Sequence, residues 1–284
     1  MVKRTFLGLL VAAVAFAGAP QRIVSTAPSI TEMLYAVGVG DKVVGVTTYC
    51  HYPPEARSKP KVGTYIEPDL ERIASLRPDL VVIQKNPINL AGKLGALKLN
   101  VLEVSHDTVD EVYVSMQRIA DAGGTGAKAR VLIESMKRDL AGIRQRTSRG
   151  GKTRMMFIVG RAPGRLEDLI AVGRASYLNG IIDIAGGNNI FKDAVAPYPK
   201  IGMEDVLARD PQVIVDMGDM SQTEGVTDEH KRAVVGLWKR YGNVSAIRDG
   251  RVFAVASDIF TVPGPRMVEA ARAFAKMLHP EAGF

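Results

Sequence analysis

The sequence predicts an α/β protein of two similar lobes, each built on a parallel sheet, joined by one long helix and facing each other across a cleft. Three observations predict it. A stretch running through Tyr65, Glu71 and Pro78 recurs 133 residues later through Tyr198, Glu204 and Pro211. In each copy a tyrosine precedes a glutamate by six residues, the glutamate precedes a proline by seven, and an apolar run follows at once. Agreement at all of these offsets marks an internal duplication. Short apolar runs also alternate with stretches of helical spacing along the chain, which is the pattern of parallel strands covered by helices. Between the two copies, residues 127–146 form a long amphipathic run with no strand partner before Met155, the natural connector between lobes.

The first 17 residues are of another kind. Lys3 and Arg4 precede an almost wholly apolar run, and Ala15-Phe-Ala17 offers a small-residue cleavage site, so this is a secretory signal peptide cut after Ala17. No later stretch reaches the ~18 apolar residues of a spanning helix. The expectation is a soluble protein free in the periplasm of a two-membrane bacterium. Its one cysteine, Cys50, cannot form an intramolecular disulfide and lies too far from the signal to take a lipid anchor. Loss of Lys3 and Arg4 lowers the formal charge from +7 to +5. The excess is spread along the chain, which does not suit a nucleic-acid partner.

The mature lobes divide as residues 18–122, the connecting helix 123–149 and residues 150–284. Residues 22–25 are a short apolar strand and Thr26-Ala-Pro-Ser29 a turn. From Thr31, Met33, Leu34 and Val37 have helical spacing, with Glu32 in the first turn where the helix dipole favours a carboxylate. Gly38 and Gly40 stop that helix. Residues 42–46 are a second strand, followed by a loop over 47–54 that Pro53 and Pro54 hold out of helix and central strand. The first repeat copy supplies a helix over 69–76 and a strand over 80–83. Residues 86–89 form another loop, 100–104 a strand and 110–122 a helix. In the connector, Val131, Leu132, Met136, Leu140 and Ile143 mark the apolar side. The second lobe opens with a strand over 153–159 and a loop through Arg161-Ala-Pro-Gly164. A helix capped by Ser176 follows, ended by Gly186 and Gly187. After the second repeat copy come a polar surface segment over 219–231, a helix over 233–241, a strand over 251–255 and a last helix over 265–278.

No catalytic constellation emerges: the chain has no Gly-x-Ser-x-Gly elbow, no His-Glu-x-x-His and no phosphate loop. Gly38-x-Gly40 follows a helix where a dinucleotide fingerprint would follow a strand. His51, His106, His230 and His279 are scattered. Aromatic and polar groups do gather at strand ends: Tyr49, Tyr65, Gln84, Tyr198, Asp258 and Phe260. Ligands of open α/β sheets bind outside the carboxyl ends of strands, and facing lobes would set Tyr65 opposite Tyr198, each a rigid apolar face with a polar tip. Glu71 and Glu204 could each simply stabilise a helix start, by about 0.3–1 kcal/mol. As symmetric carboxylates on the two rims they would also suit a partner presenting arginines.

The runs Ile23-Val-Ser-Thr-Ala-Pro28-Ser29-x-Thr31-Glu32, Val44-Gly-Val-x-x-Tyr49-x-x-Tyr-Pro-Pro54, Leu70-Glu71-Arg72 through Pro78-Asp79-Leu-Val, and Ala185-Gly-Gly-x-Asn-Ile-Phe191 resemble the helical-backbone (class III) periplasmic substrate-binding proteins of ABC importers. The resemblance covers essentially the whole mature chain and is strongest to the cobalamin binders. It implies two Rossmann-like lobes joined by one long α-helix, no catalysis, no resident cofactor, a monomer, and a large metal-bearing ligand held between the lobes. Ser29, Tyr49, Tyr65, Gln84, Tyr198, Asp258 and Phe260 are then the candidate ligand contacts, and Glu71 and Glu204 the docking groups for arginines of a permease dimer. Four positions depart from the cobalamin binders. Tyr65 and Tyr198 stand where tryptophans are usual, Gln84 stands where an aromatic is expected, and Val262 holds the place of an arginine expected after Asp258. Haem or a ferric siderophore is therefore the alternative ligand, and Cys50 beside the site reads as a small packed thiol. From other classes, an exported hydrolase or metal-dependent enzyme would use His51 or His106, and a zinc or manganese receptor would need converging histidines.

Overall fold

The computed structural model describes residues 18–85, 88–219 and 227–284. The expected signal segment over 1–17, Asn86 and Pro87 of the strand-end loop, and residues 220–226 of the polar segment lie outside the described residues.

The first lobe runs β1 (Ile23–Ser25), α1 (Pro28–Ala36), β2 (Val43–Gly45), α2 (Leu70–Ser75), β3 (Leu80–Gln84), α3 (Leu90–Ala96), β4 (Val101–Val104) and α4 (Val109–Gly123). Its four strands pair in the order β2-β1-β3-β4, all parallel. Such strands are covered on both faces and read as unbroken apolar runs. In β3, Leu80 and Val82 face the centre of the molecule, while Val81 and Ile83 face outward onto Ile73 of α2 and Leu90 and Leu94 of α3.

Helix α5 (Gly126–Thr147) carries the chain to the second lobe. Its buried side is Ala129, Ile133, Met136, Leu140, Ile143 and Thr147, spaced alternately four and three apart. Val131 is 72% exposed, which corrects its expected place on the apolar face: two residues from Ala129 puts it on the opposite side of the helix.

The second lobe contains β5 (Thr153–Gly160), β6 (Leu169–Ala171), α6 (Tyr177–Ile184), β7 (Gly187–Asn189), β8 (Lys200–Ile201), α7 (Met203–Arg209), β9 (Val213–Asp216), α8 (Asp228–Trp238), α9 (Ser245–Arg248), β10 (Val252–Ala254) and α10 (Met267–Leu278). Strands β7, β5, β9 and β10 are mutually parallel. The sheet is mixed, because β6 and β8 add an antiparallel edge beside β5. The duplication is visible in the fold. Helices α2 and α7 begin at Leu70 and Met203, and strands β3 and β9 at Leu80 and Val213, each pair 133 residues apart.

One apolar core joins the lobes. It takes Val82 and Val104 from the first sheet, Phe157 and Val215 from the second, and buried faces of α1, α4, α5, α6 and α10 between them. A separate core under α7, α8 and β10 is filled by Trp238, Val206 and Ile214.

Candidate ligand-binding site

Beyond β4 the chain sorts consecutive side chains to opposite sides. His106 turns inward, 7% exposed, with Nδ1 3.1 Å from Ser29 Oγ. Burial holds its pKa down at about 4, so the imidazole is neutral at pH 7. Asp107 turns outward and is exposed. Thr108 and Glu111 then close a reciprocal capping box on α4, Glu111 N donating to Thr108 Oγ1 at 3.2 Å and Thr108 N to Glu111 Oε2 at 3.1 Å.

Tyr65 and Tyr198 both come within the field of Asp107. The Tyr65 hydroxyl reaches the Lys85 carbonyl, just past β3, at 3.5 Å. The Tyr198 hydroxyl accepts from Ser176 Oγ, the N-cap of α6, at 3.2 Å. Burial raises both phenol pKa values, and the Asp107 charge pushes each further up; one carboxylate therefore acts on a tyrosine from each lobe. The Tyr198 loop is pinned from behind: Gly173 N donates to the Pro197 carbonyl and Arg174 N to the Ala194 carbonyl, each at 2.9 Å. A Cβ at Gly173 would collide with the Ala196 carbonyl, so only glycine lets that loop lie so close. A cavity of about 500 Å³ opens between the lobes beside Asp107, lined by Asp107 and Tyr113, by Arg144 of α5, and by Arg174, Ser176 and Tyr177.

A second cluster ties the lobes together. Arg266, just before α10, sends Nε to Glu32 Oε2 at 3.0 Å and Nη2 to Glu32 Oε1, and Nη1 to Asp258 Oδ1 at 2.8 Å. Its guanidinium also stacks on the Tyr52 ring, 4.0 Å from the centroid. Burial opposes the charge of Arg266, but the hydrogen bonds it donates to Glu32 and Asp258 outweigh it and raise its pKa. Burial likewise lifts Glu32, against the pull of Arg266. Deep between these clusters, the buried Tyr177 hydroxyl has no hydrogen-bond partner among the described residues. Burial raises its pKa well above the usual value, with smaller contributions from Tyr198 and Glu32.

Several expectations change accordingly. Val262 stands at the spacing where an arginine is expected, and Asp258 pairs instead with Arg266, eight residues on. Glu32 lies beyond the first turn, because α1 starts at Pro28, and its carboxylate serves Arg266. Ser29 is 3% exposed and holds His106. Phe260, also 3% exposed, packs edge-on to Phe157 at 5.8 Å and beside Phe274 at 5.1 Å. Neither side chain lines the cavity, and Tyr49, Tyr65, Gln84, Tyr198 and Asp258 are not among its lining residues either. Gln84 is half-buried at the end of β3, and Tyr49 stands 64% exposed on the loop after β2. Cys50 is packed, with Sγ 3.1 Å from Thr31 Oγ1 and 3.0 Å from Thr47 Oγ1, and burial raises its pKa. Glu71 and Glu204 are exposed in the first turns of α2 and α7.

Asp107, Ser176, Tyr177 and Arg266 were outside the residues expected to contact ligand. The strand-end rule that selects Gln84 applies equally to Asp107, two residues past the 100–104 strand and its following serine. Arg266 is signalled only by Pro263-Gly264-Pro265, a turn that brings a distant side chain back. Among the described residues, no group of three His, Cys, Asp or Glu side chains is placed to hold a metal ion, and no helix is long and apolar enough to cross a membrane.

Residues 23–259 match the periplasmic binding protein family. The chain is 32% identical to an ABC transporter substrate-binding lipoprotein of Bacillus subtilis, over 92% of this chain and 81% of that one. It is 27% identical to the vitamin B12-binding protein of Vibrio cholerae, over 95% and 93% of the two chains. The crystal structure of the periplasmic vitamin B12-binding protein of Vibrio cholerae superposes with a TM-score of 0.79 at 26% identity, covering 93% of this chain and 99% of that one. The same TM-score, 0.79, relates the fold to a periplasmic heme-binding protein of Pseudomonas aeruginosa at 22% identity. With its two α/β lobes, its connecting helix and this agreement along nearly the whole described length, the chain belongs to the periplasmic binding protein family and is a substrate-binding protein of the ABC-transporter type.

Proposed function

We propose that the protein captures cobalamin or a related corrinoid in the periplasm and delivers it to an inner-membrane ABC permease, acting as a monomeric binder with no catalytic step. The observation that carries this reading is the pair Tyr65 and Tyr198. They occupy matching places in the duplication, one on each lobe, and both lie within the field of one carboxylate beside the cavity between the lobes. Two rigid aromatic faces set across a cleft suit a flat macrocycle, and their hydroxyls can serve its polar edge. The vitamin B12-binding relatives, matched along nearly their whole length, favour a corrinoid over haem. In this reading the Asp258 carboxylate, the exposed Tyr49 ring and the half-buried Gln84 amide are further ligand contacts.

Glu71 and Glu204, exposed at equivalent helix starts, support docking on paired arginines of the permease. Residues 1–17 would direct export. The deciding experiment is spectrophotometric titration of the purified mature protein with cyanocobalamin. Saturable binding at micromolar concentration is expected. No binding in that range sinks the corrinoid assignment, and binding of hemin or a ferric siderophore in its place redirects it.

A further inference from the structure

Asp107 and Arg174 face the same inter-lobe cavity from opposite lobes. Both are exposed, and among the described residues neither side chain enters a hydrogen bond or an ion pair. Their freedom has a local cause. The capping of α4 is complete without Asp107, because Thr108 and Glu111 satisfy each other's backbone donors. The Arg174 backbone is tied to Ala194, which fixes where its side chain leaves the loop but uses none of its guanidinium donors. The cavity wall therefore presents an acceptor without a hydrogen-bond partner among the described residues, set between the charges of Lys85 and Glu111 and near Tyr65 and Tyr198, and a donor without one next to Ser176.

Resting on the corrinoid reading of this site, we infer that Asp107 and Arg174 are specificity-determining residues that select ligands with primary carboxamides at their periphery over ligands that present carboxylates. A primary carboxamide carries N–H donors for Asp107 and a carbonyl acceptor for Arg174, so a ring bearing several can satisfy both charges at once. A carboxylate can satisfy Arg174 alone. It meets Asp107 as a like charge, and a juxtaposition of that kind works as a repulsive filter. The corrin ring of cobalamin is edged with carboxamides, whereas haem presents propionates. The charge of Asp107 already reaches the phenols of both lobes, and it would reach a ligand lying between them.

The test uses the full mature protein, its Asp107→Asn and Arg174→Gln variants, and two probes. The probes are cyanocobalamin and its monocarboxylate, in which one peripheral carboxamide has been hydrolysed. The native protein should bind the monocarboxylate about tenfold more weakly than the parent. Asp107→Asn should keep its thermal midpoint, weaken the parent several-fold and bring the two probes to near-equal affinity. Arg174→Gln should weaken the parent while preserving the preference. If native protein binds cyanocobalamin but Asp107→Asn retains the full preference for it, the filter is overturned and the corrinoid reading stands. If native protein binds neither probe, the corrinoid reading falls and this inference falls with it.

Discussion

Replacing Arg266 by methionine should cost about 3 kcal/mol of folding stability, and the reason lies in how unequally its two partners can be rehydrated. The Glu32 side chain is 3% exposed and that of Asp258 27%. Once the guanidinium is gone, Asp258 can turn to water, while Glu32 stays in the seam between α1 and the start of α10. Removing one member of a buried pair costs about 3–5 kcal/mol through the charge left behind. The lower end applies because the Arg266 side chain is itself 12% exposed and methionine still covers Tyr52. The double variant Glu32→Gln with Arg266→Met leaves no stranded charge and should regain most of the loss. Urea denaturation followed by the fluorescence of Trp238, the one tryptophan and fully buried, gives both values. A loss below about 1 kcal/mol for Arg266→Met, or a double variant no more stable than the single one, would refute the assignment of this cluster as a buried inter-lobe tie.

His106 should make stability fall in acid. Its pKa drops from 6.5 to about 4 on folding, so the unfolded chain takes up a proton between those values and the native one does not. The associated stability is complete above pH 6.5 and is lost as pH falls toward 4, up to about 3 kcal/mol in all. Urea midpoints measured across that window should flatten in His106→Gln relative to the native protein. Glu71→Ala combined with Glu204→Ala should leave cyanocobalamin binding unchanged and abolish uptake in cells that carry the cognate permease; persistent uptake would reduce these carboxylates to helix-dipole partners worth a few tenths of a kcal/mol. Gly173→Ala should push the 194–198 loop off its support, at a cost of about 1–3 kcal/mol. It should also weaken ligand capture, because Tyr198 rides on that loop, and the loss of affinity can be read from the same titration.

What the sequence makes legible here depends on whether a feature repeats at a fixed interval or depends on a direction in space. The duplication could be read because α2 and α7 start with the same chemistry and a proline precedes each following strand, so a 133-residue shift brings helix onto helix and strand onto strand. The antiparallel edge could not, since β6 has three residues and β8 two, too few for alternation to register. The connector's length was evident, but its buried face follows the spacing of Ala129 and Ile133, and Val131 draws the eye only by being more apolar than alanine. In the candidate site, strand ends mark the region without telling which side chain turns in. Ser29 and Phe260 face the core, Asp107 faces out, and nothing in a single sequence distinguishes them. Arg266 shows the complementary difficulty, as it pairs with Asp258 across a Pro-Gly-Pro turn and with Glu32 across 234 positions.

These particulars bear on how selectivity can arise. The lobes share one apolar core running from β3 and β4 through α4, α5 and α6 to α10, and Arg266 adds an ionic tie across the same seam. Opening or closing the cleft by a wide angle would shear close-packed side chains and strand Glu32, each at a cost of several kcal/mol. A ligand would have to return that energy through contacts made only in the closed form. The lower-cost route to discrimination leaves the lobes nearly where they are and chooses among ligands by the groups already standing on the walls. On the reading proposed above, Tyr65, Tyr198, Asp107 and Arg174 are those groups, and their chemistry, more than any motion of the lobes, would set what the cleft accepts.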